Sequence, residues 1–286
     1  MLFWDMKYPN YCLFFLLIAT ACHNVAMTKE NAMTNTYRVA AAQIFCLDGD
    51  KPGNLVRIEN AMKQAKAEEV DIICFPEMAL MGWVNPDAHQ HSQPIPGADS
   101  DTLAALARKY QMYMVVGLGE KEGDQLYDAA ILLAPDGQIL LKHRKVNILT
   151  ELMDPPYTPG TGVQVVQTEF GKMGVMICAD SFMEEVKKEM TALQPDLLLI
   201  PYGWAKEVED WPGHGQELEK TVTSTAKAIG CPVVGTDLVG EISQGPWQGL
   251  VYGGQSLIVD EQGQVLKKGL DRDKDLLIVD FPISTK

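Results

Sequence analysis

The sequence predicts an α/β protein in which mixed β-sheets are covered on their outer sides by helices, and three observations lead there. Short apolar runs of strand length alternate with segments whose apolar residues recur at helical spacing. Two hairpins with glycine-containing turns interrupt that alternation, one in each half, so the sheets must include antiparallel pairs. No Gly/Ser-rich linker separates the halves, which argues for one domain over residues 37–286.

Val39 to Phe45 reads as a first buried strand. Leu55, Ile58, Met62 and Ala65 then recur every three or four residues, the stripe of a helix. Asp71 to Phe75 is a second short strand, stopped at Pro76. The loop from 77 to 98 is rich in Pro, His and Asp, and loops so long inside compact domains are usually functional or disordered. Asp99 or Ser100 caps a helix carrying Leu103, Leu106, Ala107 and Tyr110, and Tyr113 to Leu118 is a further strand. The first hairpin runs Ala130–Ala134 and Ile139–Lys142 around Pro135-Asp136-Gly137. Strands follow at Val163–Val166 and Met173–Cys178, then a helix around Phe182–Leu193 and a strand at Leu197–Ile200. A helix over Gln216–Ile229 and a strand at Pro232–Thr236 precede the second hairpin, Ser256–Val259 and Val265–Lys268.

Composition narrows the function. Of 286 residues, 47% are hydrophobic and 22% charged, as in a soluble chain with a real core. The net charge of −14 argues against a nucleic-acid partner, because phosphate binding needs a Lys/Arg surplus. Cys46, Cys74 and Cys231 lie in or beside apolar stretches with no CxxC or metal-type spacing, so a disulfide framework is not expected. His89-x-His91 has metal-like spacing but lacks an acidic or cysteine partner pattern, so a metal site there is not expected.

The N-terminus differs from the rest. Tyr8 to Ala21 is uncharged, and its fourteen residues fall short of the ~20 that a membrane-spanning helix needs. Lys7 before the run and Ala19, Thr20 and Ala21 after it resemble a secretory signal over residues 1–22, with a linker at 23–36. Cys22 follows those small residues like the bacterial lipoprotein site, where the cysteine is acylated, although Asp5 offsets Lys7 and Ala19 stands where Leu is usual. The expectation is an exported protein, periplasmic or held at the membrane by lipid at Cys22. The alternative is a cytoplasmic enzyme whose true start is Met27 or Met33.

Three short segments carry the chemistry. Phe75-Pro76-Glu77 puts a carboxylate at the end of an apolar strand, and His143-Arg144-Lys145 follows the first hairpin. Gly174 to Asp180 is a strand that ends in Cys178 and leads into a helix. A nucleophile at such a turn projects from the sheet edge, with the following amides placed to stabilise an oxyanion. A thiol with a free pKa of ~8.5 needs a base or a positive charge nearby at neutral pH, and Glu77 and Lys145 supply one each. Taken singly, each has a plainer reading: a buried cysteine, a loop carboxylate, a solvated lysine run.

Together, in this order and spacing, the three segments resemble the nitrilase superfamily, the carbon–nitrogen hydrolases. Ala42-Gln43, Pro159-Gly160 and Glu185, seven residues after Cys178, extend the resemblance from about Val39 to Phe281. It implies an αββα sandwich, two mixed sheets flanked by helices, that dimerises into a four-layered αββα–αββα assembly. It also implies that Glu77 is the general base, that Cys178 is the nucleophile, that Lys145 with the backbone N–H of Ala179 holds the oxyanion, and that no metal or organic cofactor takes part. A second glutamate is common in the family; Glu151 fits best, with Asp154 as rival. Tyr202 and Trp204 are candidate substrate contacts, and Trp83, His89, His91 and Trp211 also lie in loops after strands.

The departures bear on specificity. His143 replaces the usual Tyr, Ala179 follows the cysteine where relatives have Tyr or Glu, and Met183-Glu184 replaces Phe-Pro. The expected activity is hydrolysis of a small linear amide through a thioester, with nitrilase or N-carbamoyl hydrolase chemistry as the alternative. A catalytically silent binding protein is the reading from another class, and the intact Glu–Lys–Cys set speaks against it. A papain-like protease would need a histidine partner, and only His214 lies downstream of Cys178. The acyltransferase branch needs several membrane helices that this sequence does not carry.

Overall fold

The computed structural model describes residues 36–283. The predicted signal at 1–22 with Cys22, and the linker as far as residue 35, lie outside the described residues. In chain order the first half gives β1 (Thr36–Gln43), α1 (Lys51–Ala67), β2 (Ile72–Cys74), α2 (Ala88–His91), α3 (Ala98–Tyr110), β3 (Tyr113–Glu122), β4 (Gln125–Leu133) and β5 (Ile139–Arg144). The second half gives β6 (Val165–Thr168), β7 (Gly171–Val175), α4 (Glu184–Leu193), β8 (Leu197–Pro201), β9 (Ala205–Lys206), α5 (Gly215–Ile229) and β10 (Val233–Thr236). It closes with β11 (Val239–Glu241), β12 (Val251–Gly253), β13 (Leu257–Val259), β14 (Val265–Lys268) and β15 (Asp275–Pro282).

Local sequence explains the elements. Asp50 caps α1 by accepting from the Gly53 amide at 3.1 Å, and Pro52 suits its first turn. The buried stripe Asn54, Ile58, Met62 and Ala65 faces the sheet. Leu218, Val222, Ala226 and Ile229 do the same for α5, which ends at Gly230 with φ +79°, a conformation open to glycine.

Two six-stranded mixed sheets form the middle, ordered β15-β1-β2-β3-β4-β5 and β14-β13-β10-β8-β7-β6. Each has three parallel strands at its centre and antiparallel strands outside them. The alternation along β1 separates the layers. Val39 and Ala41 join Cys74, Val115 and Leu132 against Leu199 and Val234 of the second sheet, while Ala40 and Ala42 face Ile58, Met62 and Leu103 of α1 and α3. The second sheet buries its other face against α4 and α5, so the layers read αββα, as the resemblance implies.

Several boundaries differ from expectation. The predicted strand at Tyr113–Leu118 continues to Glu122 and turns directly into β4, because Glu120 is buried and its charge is met by Lys142 (2.5 Å) and Arg144 (2.6 Å) across the sheet. A run of charge there reads as loop in sequence. β7 stops at Val175, so Cys178 opens a 3₁₀ turn, Cys178–Phe182, rather than ending a strand. The small sheet β11-β12-β9 and the edge strand β15 were not anticipated; the former has strands of two or three residues, too short for a periodic signal.

Candidate active site

The central parallel strands deliver their side chains at their C-terminal ends, where the loops of both sheets converge. After β2 the chain turns through Phe75-Pro76-Glu77. The Phe75 amide donates to Val115 O (2.7 Å) in the first sheet, and the Glu77 amide donates to Tyr202 O (3.2 Å), just past the end of β8 in the second. The turn lies so close to β3 that a Cβ at Gly117 would sit 2.6 Å from Glu77 Cα and 2.7 Å from the Met78 amide nitrogen. Only glycine leaves room for Glu77.

Lys145 follows β5, and its amide extends the ladder to Asp128 O on β4 (2.8 Å). Its buried ammonium donates to Glu77 Oε1, lies 3.3 Å from Asp128 Oδ2, and stands 5.7 Å from the centroid of the Trp83 ring. Cys178 sits at φ +40°, a left-handed conformation that a β-carbon resists and that costs about 1–3 kcal/mol. The turn holds it there. Ser181 Oγ donates to Cys178 O (2.6 Å), and Tyr202 Oη donates to Ser181 Oγ (3.1 Å).

Asp180 ties the lysine segment to the cysteine turn. Its Oδ1 accepts from the amides of Val146 (2.8 Å) and Asn147 (2.9 Å), and its Oδ2 accepts from the Ile177 amide (3.0 Å) and His143 Nε2 (2.7 Å). Asn147 Nδ2 adds a bond to Ala179 O (2.9 Å). His143, a departure at sequence level, is therefore a buried donor in the brace between Lys145 and Cys178. Asp237, beyond β10, accepts from the amides of Trp204 (2.7 Å) and Gly254 (3.1 Å) and so fixes the 203–204 turn. The Gly203 amide in that turn donates toward the Cys178 sulfur.

Electrostatics follow from the burial. Removal from water pushes the Cys178 thiol well above its ordinary range and the Glu77 charge adds to this, while Lys145 and the Gly203 amide act the other way. Burial and then Glu77 hold Asp128 well above the usual carboxylate range, opposed by Lys145. For Lys145, burial favours the neutral amine, but the adjacent Glu77 and Asp128 carboxyl groups outweigh it and keep the ammonium. Such an arrangement can move a proton between sulfur and carboxylate with a fixed cation beside them.

The structure brings Glu77, Lys145, Cys178 and Ala179 together, all buried. Glu151 is different: it lies exposed on a 3₁₀ turn, Thr150–Leu152, and with Pro86, Asp154 and Pro246 lines an outer cavity of about 390 Å³. The second carboxylate beside Lys145 is instead Asp128, which the sequence reasoning missed. A lone charge inside the apolar run Tyr127 to Leu133 was the available signal. Tyr202 is fully buried with its hydroxyl under the cysteine turn, and Trp204 stacks on His214 at 5.3 Å and meets Phe182 edge-on at 5.7 Å. The aromatic ring against the lysine is Trp83, which in turn meets Trp247 edge-on at 5.1 Å. Trp211 is buried against His214, and His89 Nε2 bonds Pro155 O at 2.9 Å.

Comparison with known proteins adds three kinds of match. The carbon–nitrogen hydrolase family model matches residues 38–285. Among relatives, the (R)-stereoselective amidase of a Pseudomonas species is 26% identical over 247 residues, covering 85% of this chain and 85% of that protein. The bifunctional nitrilase/nitrile hydratase NIT4A of Nicotiana tabacum is 26% identical over 199 residues, covering 63% of this chain, which spans only 57% of that protein's length. Among solved structures, an amidase from Nesterenkonia sp. superposes with a TM-score of 0.74 at 24% identity, covering 86% of this chain and 90% of that one, a likeness of fold.

Proposed function

We propose, proceeding from the fact that this chain belongs to the carbon–nitrogen hydrolase family, that it hydrolyses a small linear amide through a thioester on Cys178. Glu77 takes the thiol proton as the sulfur attacks the carbonyl carbon. Lys145 and the Ala179 amide stabilise the oxyanion, and Glu77 then protonates the leaving nitrogen. Water, deprotonated by Glu77, attacks the thioester and releases the carboxylic acid. The observation that carries this reading is the buried contact of the Lys145 ammonium with Glu77 beside a cysteine held at positive φ. Support also comes from a protein of like fold: a glutamate-to-leucine mutant of the amidase from Nesterenkonia sp. AN1 shows covalent addition of the acetamide moiety of fluoroacetamide at its active-site cysteine.

The burial of all three side chains supports a small substrate, since a bulky acyl group would have to displace the turns that hold them. The proposal extends to a homodimer, and to export with acylation at Cys22, for which the apolar run and small residues before that cysteine are the support. The deciding experiment is ammonia release by the purified protein over a panel of short aliphatic amides, carbamoyl compounds and nitriles, with Cys178→Ala as control. Turnover of an amide that Cys178→Ala loses is the expected result; equal rates for both proteins would overturn it. Fractionation and intact mass of the cell-derived protein test the N-terminus, and a soluble chain beginning at Met27 or Met33 would refute export.

A further inference from the structure

Asp128 is buried completely on β4, beside an ammonium that also holds the Glu77 carboxyl. Lys145, after β5, places its ammonium 3.3 Å from Asp128 Oδ2 and donates with the same nitrogen to Glu77 Oε1, after β2, while Glu77 Oε2 and Asp128 Oδ1 are buried without a hydrogen-bond partner among the described residues. Tyr157 approaches from the loop before β6 with its hydroxyl also buried. One ammonium thus faces two carboxyl groups in a space closed to water. The next cation along the chain, Arg144, is turned away onto Glu120 and Glu122. Two buried carboxylates that share one ammonium repel each other, so one of the pair keeps a proton.

We propose that Asp128 is a positioning residue that stays protonated at neutral pH, holding the proton it shares with Glu77 so that Glu77 remains the free carboxylate beside Cys178. This rests on the reading of Glu77 as general base. The charge balance explains the assignment. At rest Glu77 as carboxylate, Asp128 as acid, Lys145 as ammonium and Cys178 as thiol together sum to zero, with Asp237 held apart from these four by the Trp204 and Gly254 amides. When Cys178 gives its proton to Glu77, the S–H bond breaks, an O–H bond forms, and the thiolate now balances Lys145; the sum is still zero. With Asp128 ionised, the same buried site would carry an uncompensated negative charge in both states, and the thiolate would form against it. With the shared proton on Glu77 instead, the thiol would face no base. Burial and Glu77 both favour the acid form of Asp128.

The test compares Asp128→Asn, which keeps the shape and a donor toward Glu77, with Asp128→Ala, which keeps neither. The infrared difference spectrum of wild type minus Asp128→Asn at pH 7 is expected to contain a protonated-carboxyl C=O stretch. On an amide turned over by wild type and not by Cys178→Ala, Asp128→Asn should keep kcat within about tenfold, and Asp128→Ala should lose about a hundredfold through misplaced Lys145 and Glu77. Absence of the carboxyl band, or an Asp128→Asn protein as inactive as Asp128→Ala, would overturn the proposal. If Asp128→Ala does not fold, the band and the Asp128→Asn rates still decide. Failure of the hydrolase reading would register separately, as activity retained in Cys178→Ala.

Discussion

Asp180→Asn exposes how the site is held, because the bonds Asp180 makes go to the segments that carry Cys178 and Lys145 and not to the Cys178 sulfur or the Lys145 ammonium. Four donors converge on its two oxygens at 2.7–3.0 Å. An asparagine offers one oxygen and one NH2. If the oxygen keeps the Val146 and Asn147 amides, the NH2 meets the Ile177 amide and His143 Nε2. His143 can change tautomer and accept, but the Ile177 amide cannot, so one buried donor is orphaned at about 1–3 kcal/mol. The surviving bonds change from charged to neutral acceptor, at about 1 kcal/mol each. The expected loss is about 4 kcal/mol, and a domain of this size loses about 2–4 °C of Tm per kcal/mol, or about 8–16 °C in all. Catalysis should suffer separately. Releasing the 143–147 segment from the cysteine turn lets Lys145 drift, and a misplacement of ~1 Å costs about a hundredfold in kcat. Thermal unfolding by circular dichroism, run beside amide turnover at a temperature where both proteins are folded, reads the two effects independently. A Tm within about 2 °C of wild type would refute the hydrogen-bond accounting. A normal kcat in a destabilised protein would refute the bracing role.

Replacing Cys178 by Ala or Ser should lower turnover by roughly 10³ or more with the fold intact, and Glu77→Gln and Lys145→Ala should each abolish turnover without comparable loss of binding; steady-state kinetics with calorimetric binding check this. Because burial and Glu77 raise the Cys178 thiol while Lys145 opposes them, alkylation by an uncharged haloacetamide should accelerate with pH to a midpoint above the ordinary thiol range. Glu77→Gln should move that midpoint down and Lys145→Met should move it up, and opposite shifts would contradict the assigned charges. Gly117→Ala puts a methyl 2.6 Å from Glu77 Cα, so it should cost about 1–3 kcal/mol and most activity, checked by denaturant unfolding and ammonia release. An amide should exceed its matched nitrile by at least about tenfold in kcat/KM, because only the amide places full charge on an oxygen facing Lys145.

Sequence carried the layers and the three central residues for identifiable reasons. The strands β1, β2, β8 and β10 are buried on both faces, so they read as short unbroken apolar runs, and each ends where a turn residue or a chemical residue begins. Glu77, Lys145 and Cys178 were legible because each is fixed by a local segment whose order and spacing are recognisable. Asp128 and Asp237 were not, because what marks them is the company of distant residues: Lys145 for one, the Trp204 and Gly254 amides for the other. Tyr202 drew attention as an aromatic in a loop after a strand, yet its side chain turns inward to Ser181. Trp83 sat in the same category and lies against the lysine. Nothing in the sequence separates those two tryptophan- or tyrosine-bearing loops, since the direction of a side chain depends on which sheet packs above it.

The distribution of the site over the two sheets has a consequence for how it can fail. Glu77, Asp128 and Lys145 belong to the first sheet; Cys178, Gly203 and Asp237 belong to the second. Neither sheet holds both Glu77 and Cys178, so their separation is set by how one sheet lies on the other. Polar ties cross that boundary beside the chemistry: the Glu77 amide to Tyr202 O, the Val146 and Asn147 amides and His143 Nε2 to Asp180, and Asn147 Nδ2 to Ala179 O. The apolar packing between the sheets is non-directional and tolerates small slides, whereas these bonds do not. Core burial therefore supplies most of the stability, and the ties supply the register. A substitution in the inter-sheet core should thus lower stability first, while loss of a tie should lower activity out of proportion to stability. The residues that hold this site in working order are for that reason the ones beside it, on the seam, rather than the large apolar side chains beneath.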